Sequence, residues 1–163
     1  MIGHYMYINL VSKWRDKLVD RNKEYMNWDL SKPSNCWLDS FILGNVYILG
    51  LGMDFSEMDL WWLLNRKKRE KANPHGKVVF YEPQTPGKET TYALLRAYDV
   101  EVRHLGYKLL EIPDDEICEE DMERETARRD EIREFNLNSY SWFYKDAIID
   151  IQKDINECRI RLT

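Results

Sequence analysis

Three short apolar runs, NVYILG (45–50), KVVFY (77–81) and DVEVRHL (99–105), alternate with two segments of helical periodicity in the middle of the chain. Each run is rich in β-branched and aromatic residues and bounded by turn signals, as buried strands are. The first intervening segment starts near Glu57. Ser56 and Asp59 approximate a capping box there, and Leu60, Trp61 and Leu64 share a face widened by Trp62 and Leu63. It stops at NPHG (73–76), where Pro and Gly end a helix. The second is KETTYALLRAY (88–98). Strands joined by single short helices must run parallel with right-handed crossovers. The centre therefore predicts an α/β fold: a three-stranded parallel half-Rossmann sheet flanked by helices.

On either side the chain is helical. Met6, Leu10, Val11, Trp14 and Leu18 recur at helical spacing within residues 5–26, NWDLSKPSN (27–35) is a loop, and CWLDSFIL (36–43) is a short helix ending at Gly44. After residue 110 two charged helical segments are expected, about 116–136 and 139–160. The second carries Tyr140, Phe143, Ala147, Ile148, Ile151, Ile155 and Cys158 on one stripe, and the two pair as an αα-hairpin or pack on the sheet. With 163 residues the chain suffices for one domain. The expected organisation is 1–110 as a partial α/β domain and 111–163 as an acidic C-terminal helical extension, one globular unit.

The net charge of −5 is uneven, +3 over residues 1–110 and −8 over 111–163. The acidic part argues against nucleic acid as a partner. The one dense basic run, RKKREK (66–71), falls where a helix ends and complements its dipole; a phosphate contact is the alternative. No stretch has the roughly 20 apolar residues of a membrane span, and no signal peptide is evident, so the expected location is cytoplasmic. Cys36, Cys118 and Cys158 are too scattered for a disulfide framework and read as free thiols.

No catalytic constellation emerges. Three scattered histidines give no triad order, and His and Cys are too sparse for zinc. The acidic stretch PDDEICEEDMERE (113–125) lacks the spacing and central glycine of a calcium loop, so no metal site is expected. The aromatic residues Trp28, Trp37, Trp61, Trp62, Tyr140, Trp142, Phe143 and Tyr144 offer stacking surface for bases, but at helical spacing they read as core or protein interface.

The turn GLGMDFSE (50–57) closes the first strand at its carboxyl end, where open parallel sheets bind ligands. Gly50 and Gly52 permit close backbone approach, the following helix start can receive an anion, and Asp54 or Glu57 can accept ribose hydroxyls. Position 55 is Phe where a dinucleotide fingerprint has its third glycine, and no phosphate-loop pattern occurs. From these residues alone the turn is a binding site or a plain structural connection.

The longer stretch WLDSFILGNVYILGLGMDFSEMDLWWLLNRKKR (37–69), followed by VVFYEP, resembles the closing part of bacterial sirtuin-like domains, NAD-handling proteins of anti-phage defence. The likeness covers about residues 4–105. It implies a nucleotide wall of Gly50, Gly52, Asp54 and Ser56 beside the adenosine half of NAD or ADP-ribose, and of Tyr81 and Glu82 beside the ribose. The family's Gly-Ala-Gly-x-Ser loop and catalytic His-Gly are not matched. His4 precedes Tyr, His75-Gly76 sits in the loop that ends a helix, and His104 falls in a strand. The resemblance therefore implies a half-domain that lacks the catalytic half and is inactive alone. It binds nucleotide weakly or serves as an assembly module. Alternatives are an enzyme completed in trans by a partner chain, and a pure interaction protein. A half sheet exposes a strand edge, so a homodimer is expected.

Overall fold

The computed structural model describes residues 37–54, 57–70, 76–113 and 122–160, together with Lys13 and Asp16. The helix expected over 5–26 and the loop over 27–35 lie essentially outside the described residues. Helix α1 (Trp37–Leu43) leads into β1 (Val46–Leu49). Helix α2 (Met58–Arg69), β2 (Val78–Tyr81), α3 (Glu89–Ala97) and β3 (Val100–Arg103) follow, then α4 (Met122–Ile160). The strands form one open parallel sheet in the order β1-β2-β3, with helices flanking it. The alternation read from the apolar runs is the observed one.

The chain divides into two compact units, and the division runs through β2 and β3. One holds the chain up to Val79 together with Leu95–Glu101; the other holds Phe80–Leu94 and Val102 onward. No helix among the described residues is long and apolar enough to cross a membrane.

In the first unit Leu38, Ile42, Leu43 and Leu63 form a core, with Phe41 and Trp62 packed against it. Helix α1 has only seven residues, too few to be stable alone, and its last turn is held from outside. Gly44 N–H donates to Ser40 O and Gly76 N–H to Leu43 O, both at 2.9 Å. The remaining carbonyls of Phe41, Ile42 and Gly44 accept from the Lys67 ammonium at 3.0, 2.8 and 2.8 Å. The usual orphan acceptors of a helix end are thus accounted for. Gly76 is obligatory in this arrangement, because a Cβ there would lie 2.1 Å from the Gly44 carbonyl carbon.

In the second unit α4 is anchored to the carboxyl halves of β2 and β3 by polar groups. Arg103 Nη1 donates to Asp150 at 2.6 Å and to Asp154 at 3.0 Å. The Tyr81 hydroxyl donates to Asp150 at 2.9 Å. Phe143 and Ala147 are the only fully buried apolar residues of this helix among those described. Tyr107 stacks edge-on against Phe143, with ring centres 5.8 Å apart.

Two expectations for the C-terminal region are corrected. Residues 122–160 are one helix of 39 residues, not a hairpin. The segment FNLNS contains weak helix formers but neither Pro nor Gly. Its Asn136 side chain is also drawn outward: its amide donates to Leu110 O and its carbonyl accepts from Leu110 N–H, both at 2.9 Å, so it does not compete for the helix backbone. The buried face is also rotated from the expected stripe. It runs through Phe143, Ala147, Asp150 and Asp154, leaving Ile148 and Ile155 exposed at 49% and 45%.

Candidate strand-end site

The expected site begins where β1 stops. Gly50 takes a left-handed conformation (φ 74°), and so does Met53 (φ 56°), unusual for a residue with a side chain. The thioether of Met53 is 3% exposed, so burial holds the turn in this shape. Asp54 N–H donates to Glu57 Oε2 at 2.6 Å, and Glu57 N–H donates back to Asp54 O at 3.0 Å. This reciprocal pair ties the turn to the start of α2. Glu57 is the N-cap residue of α2 and makes no side-chain cap bond, while Ser56 lies outside the described residues. Asp54 folds over Gly52, its Oδ2 lying 2.9 Å from where a Cβ would stand. Gly50, Gly52 and Asp54 thus share one turn beside a helix start that lacks a side-chain cap. Burial raises the carboxyl of Asp59 in the first turn of α2 above its ordinary range.

Tyr81 and Glu82 belong to the second unit, where successive residues of a strand face opposite ways. Tyr81 points to α4 and is consumed there by Asp150 and Arg103. Burial, together with the Asp150 hydrogen bond, raises its hydroxyl far above the ordinary value. Burial alone would raise the Asp150 carboxyl, but the Arg103 and Tyr81 hydrogen bonds outweigh it and hold that group below its usual range.

Glu82 points to α3 and is 7% exposed. Its Oε1 accepts from Lys88 at 2.8 Å and its Oε2 from the Tyr92 hydroxyl at 3.0 Å. A ribose hydroxyl would compete with both. Burial raises the Tyr92 hydroxyl, and the facing Glu82 carboxylate adds to the effect.

His104 Nδ1 lies 2.8 Å from Glu82 O. A carbonyl only accepts, so Nδ1 carries a proton in this contact. The ring meets Tyr92 edge-on at 4.8 Å; the histidine is half-buried and lies just past β3, which ends at Arg103, not in the strand as expected. His4 and His75 lie outside the described residues. Among the described residues no cluster of three His, Cys, Asp or Glu is arranged for a metal.

The basic helix end is occupied internally. Lys67 holds α1. Lys68 donates to Ala97 O and pairs with Asp99 at 3.6 Å, and Arg66 pairs with Glu70 at 3.1 Å. A cavity of about 250 Å³ lies against Leu64, Lys67, Lys68, Lys77 and Tyr98, on the amino side of β2 instead of the carboxyl side. A wider recess of about 590 Å³ runs along Arg124, Arg128 and Glu131 of α4. Among the described residues, neither is lined by Gly50, Gly52, Asp54, Tyr81 or Glu82.

Compared with known families, curated proteins and solved structures, the chain matches none. The sirtuin-like reading therefore rests on the motif of residues 37–69 and the strands that follow it.

Proposed function

We propose that this chain is a nucleotide-binding or assembly module built on half of a sirtuin-like fold, without a catalytic apparatus of its own. The observation that carries the reading is the turn Gly50–Asp54. It has two left-handed residues, a glycine between them at position 52 over which Asp54 folds, and an adjoining helix whose N-cap residue Glu57 makes no side-chain cap bond. Such a turn suits the phosphate or ribose of NAD or ADP-ribose. Because Tyr81 and Glu82 are engaged within their own unit, they supply little to a ligand. Affinity in the high micromolar range or poorer follows, since small-ligand affinity comes from concave burial.

Calorimetry with NAD and ADP-ribose tests this directly. Gly52→Val should abolish any binding, because its Cβ already displaces the Asp54 carboxylate and its branch blocks close approach to the backbone, with circular dichroism checking that the fold is intact. Sub-micromolar binding by the chain alone would refute the half-pocket. Nicotinamide release by the pure chain would refute the absence of catalysis, and its appearance only on adding a second chain would favour an enzyme completed in trans. The reading as an interaction module is favoured by α4, whose outer surface exposes several large apolar side chains.

A further inference from the structure

We infer that α4 pairs antiparallel with α4 of a second copy of this chain, about a two-fold axis at Trp142. The inference goes beyond the nucleotide reading and does not rest on it.

Helix α4 is about 58 Å long at 1.5 Å per residue, and no described residue from Met122 to Trp142 is buried. A helix draws most of its stability from packing an apolar face, and the first half of this one, although Asn136 pairs with Leu110, buries no described apolar side chain. Phe135, Trp142 and Ile149 are spaced two turns apart, so they stack on one side of the helix. They are 48%, 59% and 48% exposed. That side lies about 110° round the helix from the Phe143–Ala147–Asp150–Asp154 face. Heptad spacing of large apolar groups is the pattern of a helix–helix seam.

Self-complementarity identifies the occupant. A two-fold axis places each residue opposite the one equally far on the other side of Trp142. Phe135 then meets the partner's Ile149, and Trp142 meets its own copy. Glu131 meets the partner's Lys153, and both are exposed. Asn138 meets the partner's Asp146; the like-charged pairs of this register, Glu134 with Asp150 and Asp130 with Asp154, stand about 80° and 120° round the helix from the seam. The midpoint of Met122–Ile160 lies one residue from Trp142, so nearly the whole helix overlaps, and the amino-terminal half of each copy lies on the carboxyl-terminal half of the other. The contact is isologous and closed.

The three apolar side chains, about half exposed, cover roughly 600 Å² over two copies. A standard stable interface buries about 1,600 Å² in total. The dimer is accordingly expected at tens of micromolar.

Sedimentation equilibrium of the full chain tests this between micromolar and several hundred micromolar. The expected result is a rise from 19.7 kDa toward twice that mass. Ile149→Lys should weaken association at least about tenfold. Glu131→Lys and Lys153→Glu should each weaken it about three- to tenfold through two exposed like-charge contacts. An equimolar mixture of these two variants should recover or exceed the wild-type association, since both cross-pairs become attractive only in an antiparallel heterodimer. All substituted side chains are exposed, and circular dichroism checks that each variant is folded. A mass fixed at 19.7 kDa at every concentration would overturn the inference, leaving the face to another segment or partner. So would a dimer indifferent to these substitutions, or a mixture no tighter than its parents.

Discussion

Replacing Lys67 with Met tests the connection between α1 and α2. The side chains are similar in length, so the change removes three N–H donors and little volume. Three carbonyls at the end of α1 lose their partner, at about 2 kcal/mol each for a buried unsatisfied acceptor, or about 6 in all. Against this stands the cost of burying the ammonium. Burial pushes Lys67 from its ordinary 10.5 down to about 8, worth about 3 kcal/mol. The difference is a loss of about 3 kcal/mol in Lys67→Met near neutral pH.

The same residue gives a pH signature. Between about 8 and 10.5 the unfolded chain binds the lysine proton and the folded chain releases it. Stability from this group therefore rises with pH. The neutral amine still has two N–H groups for three carbonyls, so the fold survives deprotonation. Above pH 10 the raised hydroxyls of Tyr81, Tyr92 and Tyr144 act in the opposite sense, because the folded state then holds the extra protons. The clean window is pH 8–10. Urea unfolding followed by circular dichroism at pH 7.5 and 9.5 should show a midpoint that rises with pH in the wild type. In Lys67→Met the midpoint should be lower and flat. Equal midpoints for the two proteins at pH 7.5 would refute the capping role, and an unchanged pH slope in the variant would refute the assignment of the proton.

Gly76→Ala should be among the most damaging single-methyl changes, costing about 3 kcal/mol or more, since the Cβ would overlap rigid backbone at Gly44 and Asn45; thermal melting measures it. Arg103→Met should loosen α4 by removing the donor shared by Asp150 and Asp154, read as faster amide exchange around residues 143–154. The lowered Asp150 carboxyl makes its contribution present above the ordinary carboxylate range and lost as pH falls through the folded value. Acid unfolding should therefore begin at higher pH in wild type than in Asp150→Asn, once each is normalised to its own neutral stability.

The order β1–α2–β2–α3–β3 was legible because each strand is a short apolar run and each helix a periodic one. The strand-end turn was legible because two glycines follow such a run. Side-chain engagement was not legible, because it joins distant positions. Lys67 reaches a carbonyl 25 residues away, and Arg103 reaches carboxylates 47 and 51 residues away. A partial signal existed for Lys67, which continues the apolar face of Leu60, Leu63 and Leu64 at helical spacing. The single helix α4 was not legible because the weak helix formers of FNLNS fall at the join of two helical segments, and the use of Asn136 as an anchor depends on a loop residue, Leu110, that periodicity ignores.

The anchors of α4 also have a mechanical meaning. Asn136, Asp146, Asp150 and Asp154 grip the rod at points spread over roughly 27 Å of its length. A beam clamped at several stations along one side can neither roll nor slide without releasing all of them together. The stretch from Met122 to Phe135, about 20 Å, runs on beyond Asn136, so its heading follows that of the anchored part. A force applied at its tip returns as torque on Arg103 and Tyr81, the two strand residues that hold the root of the lever.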